Sequence, residues 1–375
     1  MRILQAPSNV ANQSWSTAQG LRERGHEVEV WNYGPSPNDF PVDRVFTVGA
    51  DPNDSIDALR AALDGNFDVF HFHTTRTLIS ASKGIPQMWD LPVLRALGKR
   101  IVFSFHGSDI RLASHHIDDD PWSFYKFSDI PCDEEKISTR LALIRTYAHA
   151  MTVSSTLDNV YVPEATYLPK SLHIPDYAMV GPTRKQRPLI VHATRRRATK
   201  GTDLLISELT RLQGHHDFDF KIIEGATHSQ LLRELAGADI VVEKLLGGDA
   251  GVISLEAMAL GKVAIARIRE EVRSAHPEIP VVSANPNTFS EVMAELIQSH
   301  RLRGELGERG RAYVEAEHSG ARAAALLEDI YMTAKPGPAR PHPNWASDPS
   351  ERRLEAAYAR MQRLEEQNAR LRGRR

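Results

Sequence analysis

The chain has 375 residues, 41% of them hydrophobic, more than a single compact core usually holds, so two domains are expected. Its 46 basic and 48 acidic side chains leave a formal charge of −2, which excludes the broadly basic surface of a general nucleic-acid binder and predicts no nucleic-acid partner. One cysteine, Cys132, excludes an intramolecular disulfide, and neither a signal-peptide pattern nor an apolar run of membrane-spanning length is present, so a cytoplasmic protein is expected.

From the N-terminus, short apolar runs alternate with helical patterns: "RILQ", a helix over 15–24, "EVEVW", a helix over 54–63, "DVFHFH", a helix over 91–97, "RIVFSFH", a helix around 134–147, and "AMTVSS". Such alternation predicts a parallel sheet covered on both faces. After the proline-bearing "IPDYAMVGPTRKQRP" the pattern restarts with "PLIVHA", a helix from Thr202, "FKIIE", a helix over 229–236, "DIVVE", a helix around Glu256 and "VAIA", then runs helical from Phe289 to about Ala334. The expected fold is therefore α/β, with two doubly wound, Rossmann-like domains, residues 1–168 and 188–334, joined by a linker at 169–187. Facing each other across a central cleft, they would bind ligands outside the carboxyl ends of their strands.

Residues 335–350 contain five prolines and read as a linker. In residues 351–375, Leu354, Ala357, Met361, Leu364, Asn368 and Leu371 fall at coiled-coil spacing, and eight arginines face four glutamates. This tail is expected to be helical; it offers a homodimer seam, a solvated helix or a peripheral contact with an anionic membrane.

The residues that suggest chemistry lie at strand ends. The first turn, "LQAPSNVANQSW", lacks the Gly-x-Gly-x-x-Gly of dinucleotide sites and presents Asn9 and Asn12, amides that either hydrogen-bond a polyhydroxylated ligand or cap the next helix. "HFHTTR" and "SFHGSDIR" add His71, His73, His106 and Asp109. His71 reads as a core imidazole, whereas His106, beside Gly107, can share a hydrogen bond with a substrate hydroxyl. "HHIDDD" at 115–120 reads as a solvated loop, and no metal site is expected.

In the second half, "VHATRRRATKG" concentrates Arg195, Arg196, Arg197 and Lys200 beside a helix N-terminus, a setting for a diphosphate. "EKLLGGDAGVISLEAMALG" follows, with glycines at 247, 248 and 251 that let a ligand approach the backbone, Asp249 between them, and N–H groups of Gly251 and Val252 at a helix start. Glu256, one turn inside, is either a buried structural acceptor or a two-point grip on a sugar diol.

In their order and spacing, "PSNVANQSW", "FDVFHFH", "VFSFHGSD", "VPEATYLP", "RRRATKGTDLLI" and "ADIVVEKLLGGDAGVISLEAMALGKVAIA" resemble the retaining, nucleotide-sugar-dependent glycosyltransferases of family 4, over about residues 1–332. The resemblance implies the GT-B fold, a nucleoside-diphosphate sugar as donor, a hydroxylated acceptor and no cofactor. It further implies diphosphate binding by Lys200 and by Arg195 or Arg197, donor binding around Gly248, Asp249, Gly251 and Val252, and Glu256 on the donor ribose. His106 matches the histidine beside the transferred sugar, and Asn9, Asn12, His73 and Asp109 complete the acceptor side. The implied transfer retains anomeric configuration and needs no metal. Two positions depart from the family: Gly248 stands eight residues before Glu256, where another glutamate is usual, and Ser8 and Asn9 replace a Gly-Gly loop. The rival reading is a catalytically silent binding or scaffold protein that uses its C-terminal helix.

Overall fold

The alternation of apolar runs and helices becomes two parallel sheets. The structure is a computed structural model that describes residues 1–334 except Pro37, Ala50, 80–85 and Arg184. The proline-rich linker and the helical tail, with the homodimer and membrane readings that rest on them, lie outside the described residues.

The first sheet contains β1 (Arg2–Ala6), β2 (Glu27–Tyr33), β3 (Arg44–Phe46), β4 (Val69–His73), β5 (Arg100–Phe105), β6 (Ala150–Val153) and β7 (Thr166–Tyr167). Their order is β3-β2-β1-β4-β5-β6-β7, parallel throughout. The second contains β8 (Leu189–Thr194), β9 (Asp219–Glu224), β10 (Ile240–Lys244), β11 (Val263–Ala266) and β12 (Val282–Ser283), in the order β12-β11-β10-β8-β9. Covered on both faces, the central strands are buried on both sides: Phe70 and Phe72 of β4 enter one core, while Val69 enters the other with the buried His71 and His73 on its face. The edge strands β3, β7 and β12 are too short to produce a sequence period and were not expected.

Strand order reverses between β1 and β4 in the first sheet and between β8 and β10 in the second. The ends of these four strands and the loops leaving them carry Ser8 to Asn12, His73, Arg195 to Lys200 and Gly247 to Gly251. Topology thus gathers the suspected chemistry at two facing switch points.

The helix Gly320–Thr333 falls within the segment assigned from sequence to the second domain but packs on the first. Its Ala323, Ala324, Leu327 and Tyr331 join Ile3, Val30, Val69 and Val102 in one core. A Cβ on Gly20 would lie 2.3 Å from the Gly320 carbonyl oxygen, so the two helices touch backbone to backbone. Tyr331 is fully buried, and its hydroxyl lies 2.7 Å from Nδ1 of His71, whose Nε2 lies 2.7 Å from Ser104 Oγ. His71 is thus a core imidazole, and Tyr331→Phe is expected to cost about 1–3 kcal/mol by leaving its ring nitrogen unpaired. Urea unfolding measures this.

Candidate functional site

Beyond β8 the chain passes through a short helix, Arg197–Lys200, to Gly201, whose φ of 71° opens the helix Thr202–Leu212. This turn brings Lys200 Nζ to 2.9 Å from Oε1 of Glu243, a buried carboxylate on β10. The other oxygen, Oε2, accepts from the N–H of Gly251 at 2.7 Å, the N–H of Ser254 at 3.3 Å and the hydroxyl of Ser254 at 2.5 Å. Burial alone would raise the pKa of Glu243, but Lys200 and Lys244 with these donors hold it well below the usual carboxylate range. The start of the helix Val252–Ala259 is therefore part-filled by an internal carboxylate. Gly251, expected to offer its N–H to a ligand, gives it to Glu243, leaving Val252 and Ile253 without intrahelical partners. Gly251 also has no alternative, since a Cβ there would sit 1.9 Å from Glu243 Oε1.

Lys200 lines two cavities. The smaller, about 240 Å³, is mostly apolar and includes Phe40, Ile223, Val252 and Ile253 together with Arg195, His228 and Glu256. The first domain closes it: Phe40 meets the His228 ring edge-on at 4.9 Å, and the His228 N–H donates to the Asn38 carbonyl at 3.1 Å. Glu256 Oε1 lies 2.6 Å from His228 Nε2 and accepts from Tyr177 Oη at 3.1 Å. The larger cavity, about 560 Å³, runs between the domains and is lined by His106, Lys170, Lys244, Gly248 and Asp249 among others.

His106 is neutral at physiological pH, its pKa lowered to about 4 by burial and by Lys170. Its Nε2 lies 3.1 Å from His73 Nδ1, and His73 Nε2 lies 3.0 Å from Gln5 Oε1. One proton is shared between His73 Nδ1 and His106 Nε2, which leaves His106 Nδ1 to hydrogen-bond a ligand hydroxyl. His73 thus acts beneath His106, with the rings stacked at 5.4 Å.

The remaining expected residues divide. The Asn9 amide is used internally, donating to Asn12 Oδ1 and the Pro41 carbonyl and accepting from the Trp15 N–H, which fixes a loop where Ala11 and Asn12 have φ of 48° and 62°. Asp109 accepts from the His106 N–H at 3.0 Å while its Oδ2 is buried without a partner among the described residues, and burial raises its pKa to about 7. Arg195 lines the smaller cavity, whereas Arg197 turns outward to Asp203 and Glu224. Gly248 lines the larger cavity, and a Cβ there would come within 2.5 Å of Arg269 Cδ, so the side chain of Arg269 takes the space a glutamate would need. Asp249 pairs with Lys170 at 3.1 Å.

The stretch read as a solvated loop is instead a helix, Ala113–Asp119, that docks on the second domain. Asp120 is buried and lies 2.7 Å from Arg267, and Asp119 pairs with Arg269. The 3.6-residue period was hidden there by its polar composition. Among the described residues, no group of three or more His, Cys, Asp or Glu side chains is arranged to hold a metal ion, and no helix is long and apolar enough to cross a membrane. Glu243, Lys244, Lys170, His228 and Phe40 were missed in the sequence. The only signal for the first two was a pair of charges closing the otherwise apolar strand "DIVVEK".

No family model and no curated protein matches the chain. Solved structures do. The sucrose-phosphate synthase of Thermosynechococcus elongatus superposes with a TM-score of 0.63 at 14% identity, over 88% of this chain and 98% of that one. HepE of Anabaena in complex with UDP gives 0.60 at 11%, over 89% and 100%. The catalytic domain of Arabidopsis thaliana starch synthase IV, bound to ADP and acarbose, gives 0.58 at 11%, over 89% and 98%. The chain has the GT-B fold. Identity at this level establishes architecture, so the chemistry of this GT-B protein rests on its own side chains.

Two outcomes follow from the site's electrostatics. Glu243→Gln is expected to destabilise the fold by about 3–5 kcal/mol, because Lys200 loses its buried counter-charge; chemical denaturation reads this. The unfolded chain's histidines titrate near 6.5, whereas His106 titrates at about 4 and His71 at about 3, both mainly through burial. Between pH 6.5 and about 4 these histidines bind more protons in the unfolded state, so their contribution to stability falls on acidification through that window, while Asp109, raised to about 7, contributes in the opposite direction. Thermal unfolding against pH tests it, with a shallower slope expected for His106→Asn.

Proposed function

We propose that this GT-B protein is a retaining glycosyltransferase akin to family 4, moving a sugar from a nucleoside diphosphate to an acceptor hydroxyl in cytoplasmic synthesis of cell-surface glycans or glycoconjugates. The observation that carries the reading is Lys200, shared by an apolar cavity that ends at Glu256 and a polar cavity that contains His106. A sugar nucleotide has the same division: a flat base and ribose, two phosphates, then a polyhydroxylated ring. The base would lie beside Phe40 and Ile223, with the ribose diol on Glu256. The diphosphate would meet Lys200, Arg195 and the free N–H groups of Val252 and Ile253. The sugar would enter the cavity beside His106.

In the transfer, the bond from the anomeric carbon to the diphosphate oxygen breaks and one to the acceptor oxygen forms on the same face. The acceptor proton passes to the departing phosphate. Negative charge grows on the leaving group, so Lys200 and the helix start lower the barrier most where they act in a sheltered site. Glu243 makes that arrangement stiff: it fixes the Lys200 ammonium and the helix start before donor arrives, which reduces the reorganisation required. The interdomain ion pairs of Asp119 and Asp120 hold the cleft closed against water.

Gly248 favours the rival reading, a silent sugar-nucleotide-binding protein, because no carboxylate occupies the usual sugar-gripping position. Incubation with UDP-, GDP-, ADP- and dTDP-sugars separates the two, since an enzyme slowly releases nucleotide from at least one donor and a silent protein from none. For both readings, Lys200→Ala is expected to weaken nucleoside-diphosphate binding by at least about tenfold, while Arg197→Ala leaves it nearly unchanged. Thermal-shift titration checks this, and unaltered affinity in Lys200→Ala would remove the proposed site.

A further inference from the structure

The charges around the larger cavity exceed what a donor diphosphate requires. Of the carboxylates lining it, Asp119 pairs with Arg269, Asp158 with Arg111 at 3.4 Å, Asp249 with Lys170 and Asp120 with Arg267. Asp133 caps the helix Glu134–Tyr147, accepting from the Lys136 N–H at 3.0 Å. Lys200 is matched by Glu243. Four lining cations then have no carboxylate within ion-pair distance among the described residues: Arg196, Lys244, Lys136 and Arg140. Arg196 and Lys244 stand beside Lys200, where a diphosphate supplies negative charge. Lys136 and Arg140 belong to the first domain, four residues apart on one face of the same helix, and the donor reading gives them no partner.

Arg140 is half-buried. Among the described residues its guanidinium donates to neutral groups, Gln87 Oε1 at 3.1 Å and Thr75 Oγ1 at 3.4 Å; burial and the neighbouring Arg76 lower its pKa, against the opposing pull of Asp133. A desolvated cation beside a second cation is costly unless an anion joins it. Phe124, Tyr125 and Tyr161 line the same cavity, giving the wall aromatic faces as well as charge. We propose that the acceptor carries a phosphate, held by Lys136 and Arg140 on the first domain's wall, so that its hydroxyl reaches the region of His106. This rests on the glycosyltransferase reading. Two cations one helical turn apart match a phosphate dianion better than the single charge of a carboxylate.

The test is calorimetric titration of the full chain, with and without saturating UDP. Glucose 6-phosphate and glycerol 3-phosphate are compared with glucose, glycerol and glucuronic acid, and vesicles doped with phosphatidic acid with neutral vesicles. At least one phosphorylated probe is expected to bind about tenfold or more tightly than its neutral partner. That preference should vanish in Lys136→Gln/Arg140→Gln and survive in Arg140→Lys. Preference for the soluble probes identifies a free phosphorylated acceptor, and preference for the doped vesicles alone a lipid headgroup; either supports the proposal. Equal binding of neutral and phosphorylated probes, equal binding of glucuronic acid, or a preference unchanged in the double variant overturns it. Failure of every nucleoside diphosphate to bind would instead remove the donor reading, because the phosphate preference is also read without nucleotide.

Discussion

One buried carboxylate organises the site. Glu243 lies between an ammonium and a helix start, two groups that each attract an anion, and satisfies one oxygen with each. Without it, Lys200 and the Gly251 turn would be positive features free to rearrange. With it, their positions are fixed by hydrogen bonds of 2.7 to 2.9 Å, and the remaining N–H groups at Val252 and Ile253 are left beside the smaller cavity. The substitution pattern follows from the same constraint. A side chain at Gly251 would displace the Glu243 carboxylate, and one at Gly248 would displace the Arg269 side chain.

The second constraint is contact between domains. Asp120 with Arg267 and Asp119 with Arg269 tie the two domains together and Lys170, just past β7, pairs with Asp249, while Phe40 against His228 bounds the smaller cavity from the first domain's side. The helix Gly320–Thr333 returns to the first sheet and anchors through Tyr331 and His71. The cleft is thus bounded at both ends, and Lys200 occupies the point where its apolar and polar parts meet.

Strands of four or more residues, and most of the helices between them, were legible because burial on one or both faces imposes a period on composition. The helix expected around 134–147 spans Glu134–Tyr147, Lys200 stood out within a basic cluster beside a helix start, and Glu256 as a charge in an apolar run. Glu243 gave no comparable signal. Its partner Lys200 is 43 positions away, and a charge at the end of a strand ordinarily faces water. The Asp120–Arg267 pair, 147 positions apart, is equally invisible to local reading, so an acidic docking helix looked like a loop. Asn9 and Asn12 were placed correctly at a strand end, but residue type could not tell a ligand contact from the internal bonds that use up the Asn9 amide.

The most direct test is a crystal structure with the nucleoside diphosphate, among UDP, GDP, ADP and dTDP, that stabilises the protein most. The phosphates should lie within hydrogen-bond distance of Lys200 Nζ and of the Val252 and Ile253 N–H groups, with the base beside Phe40 and the ribose on Glu256. Phosphates directed to Arg197, or a nucleotide bound away from Lys200, would contradict the account.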